Sequence, residues 1–282
     1  MSYAPTVLSL FSGIGGLDLG LERCGCETVA YSDIDDYANK VMARRFPDAV
    51  SLGDITTIEC EVNYNGTTYI ERGDGEGFWL PPIDIIAAGF PCQDISAIHG
   101  GGGIAGGKKS GLWREVARII RSLEPRLIIL ENVANIRARG LDIVLSDLAA
   151  CGYDAEWDCV PASSVGAPHR RERWFCVAHT NRQRLEEYGR AGTVQSQYDS
   201  TECGGAGVAR TRDRAAHASR PGRSWSAPAQ SDWWETEPDV DRMVDGIPRR
   251  VDRLRCLGNA VVPQVAEHVA RIALSRIDWS DD

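Results

Sequence analysis

The fold is decided by the stretch Asp84-Ile85-Ile86-Ala87-Ala88-Gly89-Phe90-Pro91-Cys92-Gln93. A short apolar run stopped by Gly89 and Pro91 reads as a buried strand running into a turn. Such strands belong to parallel α/β sheets, which bind their ligands at the carboxyl ends of the strands. Cys92 falls at that end, and a thiolate there can act as a nucleophile. A buried structural thiol is the other reading, and this stretch alone leaves both open.

Working outward, the residues before it repeat the pattern. Thr6-Val7-Leu8-Ser9-Leu10 is an apolar strand, followed by Phe11-Ser12-Gly13-Ile14-Gly15-Gly16 and the apolar-periodic start of a helix. Strand, glycine turn and helix let backbone N–H groups approach a ligand closely, although many tight turns carry glycine for steric reasons alone. The second strand, Glu27-Thr28-Val29-Ala30-Tyr31, ends at Ser32-Asp33. An acid there can take ribose hydroxyls. It can also cap the helix expected over residues 35–46, a role that suits Asp35 or Asp36. Leu52-Gly53-Asp54-Ile55 predicts a third strand end with an acidic group. Asn65-Gly66 marks a hairpin inside an insertion spanning residues 59–80.

Beyond Cys92, residues 98–111 are Gly-rich and polar, which predicts a mobile lid beside the site. A helix is expected over 112–123. The strand Leu127-Ile128-Ile129-Leu130 then ends in Glu131-Asn132-Val133. Glu131 would lie beside the Cys92 strand, where a partly dry pocket raises a carboxyl pKa and suits proton delivery. A capping or surface carboxylate is the plainer reading. A helix over 141–151, a strand over 153–160 and a strand over 174–178 follow, the last preceded by His169-Arg170-Arg171-Glu172-Arg173. Since that charge run abuts a core strand, one or two of its arginines are expected to point into the site.

The 282 residues suit one large domain, or a large and a small one. Hydrophobic content of 43% and charged content of 25% are ordinary for a globular protein. No membrane-spanning apolar run and no basic-then-apolar leader are visible, so the cytoplasm is the expected location. The nine cysteines lack zinc-ligand spacing and read mostly as buried thiols; no metal is expected. A net charge of −9 argues weakly against nucleic acid. Distribution counts for more, and arginines cluster between Arg170 and Arg223.

In this order Phe11-Ser-Gly-Ile-Gly-Gly16, Asp33, Gly53-Asp54-Ile55, Pro91-Cys92-Gln93, Glu131-Asn132-Val133, His169-x-Arg171-x-Arg173 and Gly258-Asn259-Ala260-Val261-Val262-Pro263 resemble the motifs of the cytosine-C5 DNA methyltransferase family. The resemblance implies a Rossmann-like α/β sheet with helices on both faces that uses S-adenosylmethionine, plus a small loop-rich target-recognition domain. It implies a catalytic and cofactor domain over 1–180, a recognition segment over 181–238 and a C-terminal return over 239–282. Phe11, Gly13, Gly15, Gly16 and Pro91 would shape the cofactor pocket. Asp33 would bind ribose, Ile34 would pack on adenine, and Asp54 with Ile55 would hold its amino group and face. Asn259 would close the pocket. Cys92 would attack C6 of a flipped cytosine, Glu131 would protonate N3, and Arg173 with Arg171 would hold the O2 side.

His169 stands where the family usually has Gln, a position tied to loop and DNA contacts, so activity is expected to survive. The implied partner is double-stranded DNA, met by a monomer of prokaryotic or phage origin. A cognate restriction endonuclease cannot be inferred from the chain. An RNA (tRNA) cytosine-5 methyltransferase, a catalytically silent DNA-binding relative and a nicotinamide-binding oxidoreductase are the rival readings. The last leaves Pro91-Cys92-Gln93 and Glu131 unexplained.

Overall fold

In the computed structural model the described residues are 3–64, 66–91, 112–138, 140–180, 220–221 and 250–279. Cys92, the lid expected at residues 98–111, Cys203 and all of the 181–238 segment except Arg220–Pro221 lie outside them. The chain forms β1 (Thr6–Leu10), α1 (Gly16–Glu22), β2 (Glu27–Ser32), α2 (Asp36–Arg45) and β3 (Val50–Ser51). Three strands of the insertion follow, β4 (Glu59–Val62), β5 (Thr68–Glu71) and β6 (Gly77–Leu80). Next come β7 (Ile85–Ala88), α3 (Leu112–Leu123), β8 (Leu127–Val133), α4 (Leu141–Ala150), β9 (Tyr153–Val160) and β10 (Arg173–Thr180). The last elements are β11 (Arg220–Pro221), α5 (Arg250–Asn259) and α6 (Pro263–Leu274).

One eight-stranded sheet has the order β11-β9-β10-β8-β7-β1-β2-β3. Strands β3, β2, β1, β7 and β8 run parallel, while β10 is antiparallel to both β8 and β9. The sheet is buried on both faces because each strand sends alternate residues to opposite sides. Leu8, Leu10, Ile86, Ile128 and Leu130 pack with α3 and α4. Val7, Ile85, Ala87, Leu127 and Ile129 pack with α1 and α6. This is the expected α/β architecture with helices on both faces.

The insertion is a separate antiparallel sheet of order β4-β5-β6. The expected hairpin is its first half, with Asn63 N–H donating to the Thr67 carbonyl at 2.9 Å. Ile58, Cys60, Ile70, Leu80 and Ile83 join it to the α3 side of the core. Among the described residues, no helix is long and apolar enough to cross a membrane, and the seven described cysteines are all free thiols.

Two local expectations change. β3 ends at Ser51, and the chain turns into a 3-10 helix, Ile55–Thr57, where a longer strand was expected. Helix α5, immediately before the Gly-Asn motif residues that end it, was not anticipated.

Candidate active site

The strand order reverses between β1 and β7: β2 and β3 lie beyond β1, and β8 lies beyond β7. Ligands of open α/β sheets bind in the crevice at the carboxyl ends of strands flanking such a switch point. A cleft of ≈ 530 Å³ lies there. The segments after β1 (Phe11, Ser12, Gly13) and β2 (Asp33, Ile34, Asp35) form one side of its lining. Gly89, Phe90 and Pro91 after β7, Glu131 and Asn132 at the end of β8, and Arg173 at the start of β10 form another. The C-terminal return contributes Arg255, Cys256, Asn259, Ala260 and Val261.

The glycine turn is built by backbone chemistry. Gly13 adopts φ +54 and donates its N–H to Asp33 Oδ2 at 2.8 Å. Asp33 Oδ1 accepts from Asp35 N at 2.8 Å, so this carboxylate is held by amides from two loops. The helix-capping role belongs to Asp35, whose Oδ1 accepts from Tyr37 N at 2.8 Å and Ala38 N at 3.2 Å. A Cβ added at Gly16 would come 2.3 Å from the Val261 carbonyl oxygen, so the turn and the C-terminal return touch without room for a side chain.

Glu131 is 7% exposed and lies opposite Gly89 in the register that pairs Ala88 with Leu130. Its Oε1 is 3.2 Å from Arg173 Nε. Burial outweighs the pull of Arg173 and Arg171 and pushes its pKa up to about 7. Asn132 Nδ2 donates to the Phe90 carbonyl at 2.9 Å, fixing the backbone just before Pro91 against the Glu131 strand.

The structure therefore brings Phe11, Gly13, Gly16, Asp33, Ile34, Pro91, Glu131, Arg173 and Asn259 to one cleft. It does not bring Gly15, Asp54, Ile55 or Arg171 into the lining. Gly15 forms the left-handed N-cap of α1 and backs onto Met42. Asp54 caps the 3-10 turn through Thr56 N at 2.9 Å. Ile55 is 3% exposed and packs within the core, outside the lining of the cleft. The cause is the early end of β3, which folds Ile55 inward. Arg171 donates instead to the Gly258 and Ala260 carbonyls. Cys92 is the next residue after the last described one of its segment, Pro91.

The sequence reading missed Ser12, Asn132, Arg255 and Cys256 as parts of the cleft. Asn132 had a signal, lying between two motif residues. Arg255 and Cys256 had none, because they enter only when α5 docks beside Asp35 in the segment after β2. Among the described residues, no group of three His, Cys, Asp or Glu side chains is placed to hold a metal ion.

The model of C-5 cytosine-specific DNA methylases matches residues 5–212. A Type II methyltransferase, M.NgoFVII of Neisseria gonorrhoeae, is 32% identical over 180 residues, covering 62% of this chain and 44% of that protein. M2.BsuMI of Bacillus subtilis is 34% identical over 180 residues, covering 61% of this chain and 41% of that protein. The chain thus spans less than half the length of these relatives. In fold it is similar to the Dnmt2 methyltransferase of S. pombe, with a TM-score of 0.59 and 14% identity, covering 98% of this chain and 100% of that one. With a family model matched over well more than half of its length and the motif residues gathered at the sheet's switch point, this chain belongs to the C-5 cytosine-specific DNA methylase family.

Proposed function

We propose that this chain is a DNA (cytosine-5)-methyltransferase that uses S-adenosylmethionine. The observation that carries the reading is Glu131: a buried carboxyl that keeps its proton to about pH 7, paired with Arg173 and sharing one cleft with the glycine turn and Pro91. Family membership and the Type II relatives support the substrate class.

The cleft suits the cofactor. Ser12 Oγ is buried with no hydrogen-bond partner among the described residues, an orphan that a polar ligand can satisfy. Each Asp33 carboxylate oxygen holds one backbone amide and can accept a further bond, as ribose hydroxyls require. Ile34 is 78% exposed at the lining and presents an apolar surface to the cleft. Phe11, Gly13, Gly16, Asp33, Ile34 and Asn259 would hold the cofactor, with Ser12 added. When bound it supplies an electrophilic methyl carbon on a sulfonium.

The chain's own residues do the rest. The Cys92 thiolate adds to C6 of a cytosine that has left the duplex stack, and Glu131 gives its proton to N3. C5 becomes nucleophilic as the C5–C6 double bond is used up. Arg173 keeps Glu131 in place and faces the same cleft, where it would steady the O2 side. After methyl transfer the C5 proton leaves to water, the C6–S bond breaks and the thiolate departs. As the ring recovers its double bond, N3 returns its proton to Glu131. We assign residues 1–180 and 239–282 to the catalytic unit and 181–238 to target recognition, and we take the working form to be a monomer on duplex DNA.

Methyl transfer to duplex DNA and to tRNA, measured side by side, tests the reading. Transfer to DNA supports it, and transfer to tRNA alone replaces it. DNA carrying 5-fluorocytosine should trap a covalent adduct, since C5 then has no proton to lose. Cys92→Ser should abolish both the adduct and turnover. Adduct formation by that variant would refute the nucleophile assignment.

A further inference from the structure

Arg171 and Arg173 lie two residues apart before and within β10, where an extended chain would put both side chains on one face. The structure separates them. Arg173 reaches Glu131, whereas Arg171 Nη2 donates to the Gly258 carbonyl at 2.7 Å and to the Ala260 carbonyl at 2.6 Å. Arg171 sits at φ 22, a backbone conformation that residues with side chains rarely adopt. Its targets are carbonyls at the end of α5, which lack helical partners and carry partial negative charge. Between them lies Asn259, which lines the cleft together with Ala260 and Val261. The other side of this return rests on Gly16, with no space for a Cβ.

We propose that Arg171 is a positioning residue that clamps the C-terminal wall of the cleft onto β10 and thereby sets cofactor affinity. The inference rests on the methyltransferase reading. It moves Arg171 from the substrate's O2 side to the cofactor wall, and it couples two ends of the chain. The segment that enters β10 holds Glu131 through Arg173 and the return through Arg171, so the two sides of the cleft share one support.

Two measurements on the full chain test it. Hydrogen exchange of residues 258–262 is followed without any ligand, and S-adenosylhomocysteine binding is followed by calorimetry. Arg171→Ala removes two charge-assisted hydrogen bonds, so exchange there should accelerate, and Kd should rise, each by roughly tenfold or more. In turnover the loss should fall mainly on KM for the cofactor. Arg171→Lys, which still donates to carbonyls, should recover part of both, and it serves as the test should the alanine variant fail to fold. Wild-type exchange in Arg171→Ala overturns the clamp, and accelerated exchange with an unchanged Kd overturns its link to the cofactor. If the unaltered chain binds no S-adenosylhomocysteine, the methyltransferase reading fails, while the exchange arm still decides the clamp.

Discussion

Glu131 and Asp18 are both buried carboxyl groups, yet their surroundings differ. Glu131 has Arg173 at 3.2 Å. Asp18, on α1, is fully buried and is met by the hydroxyls of Ser9 and of Thr28, at 3.3 Å, and by its own backbone N–H. Burial pushes the Asp18 pKa from 3.8 up to about 6. A carboxyl that ionises at higher pH folded than unfolded makes the native state bind more protons. Its contribution to stability is then full below the ordinary carboxyl range and lost as pH rises through the folded pKa. For Asp18 the window runs from about pH 4 to 6, and the full loss is about 3 kcal/mol. Asp18→Asn should therefore gain on the unaltered protein by a few kcal/mol between pH 4 and pH 8, measured by denaturant unfolding. An equal difference at both pH values would show that Asp18 is not the titrating group. For Glu131 the readout is turnover. kcat should fall as pH rises through about 7, because the proton it donates is lost. Glu131→Gln should reduce kcat by roughly 10²–10⁴-fold below pH 7 and remove the fall above it. The sequence pointed to Glu131 by its place after an apolar strand, but it did not point to Asp18. An acid among Leu17, Leu19 and Leu21 looks like an ordinary polar position until the helix is seen lying against the sheet.

Between elements, the telling contact is the one joining α1 to the return that links α5 and α6. Gly16 and Val261 are far apart in sequence and touch backbone to backbone. Gly16→Ala should push the return off the glycine turn, since the new methyl would lie 2.3 Å from the Val261 oxygen. The expected result is at least tenfold weaker S-adenosylhomocysteine binding and a lower Tm, by calorimetry and thermal melting. An alanine variant with unchanged affinity would mean that this contact does not shape the cleft. Strands β7, β8, β9 and β10 and helices α2, α3, α4 and α6 were readable because their apolar spacing is strong and their ends carry Gly, Pro or capping residues. Helix α5 was not, because its sequence Arg-Val-Asp-Arg-Leu-Arg-Cys-Leu-Gly-Asn is largely polar and ends in a Gly-Asn pair. Only packing against Asp35, which pairs with Arg255 at 2.5 Å, gives it a reason to lie over the cleft.

For the whole molecule, the C-terminal return completes the core. Helix α6 buries Val265, Ala266, Val269, Ala270 and Ala273 against the face formed by Leu17, Leu21, Phe175 and Val177. Each valine contributes about 1.5–3 kcal/mol by burial. A chain ending at residue 249 should therefore lose its cooperative thermal transition and bind a hydrophobic dye. A soluble truncated chain with a sharp melt would argue that the return is accessory. Its own sequence determined that this protein is an α/β chain with a nucleophile candidate after one strand, an acid after the next and a glycine turn after the first. Strand periodicity and glycine placement are local properties, legible from neighbouring residues. Only the tertiary structure decided which candidates share a cleft. It left Asp33, Glu131 and Arg173 facing one space, folded Ile55 into the core and turned Arg171 onto the return. Those choices depend on where β3 stops and where a distant helix docks, and such contacts between remote segments leave no mark on local spacing.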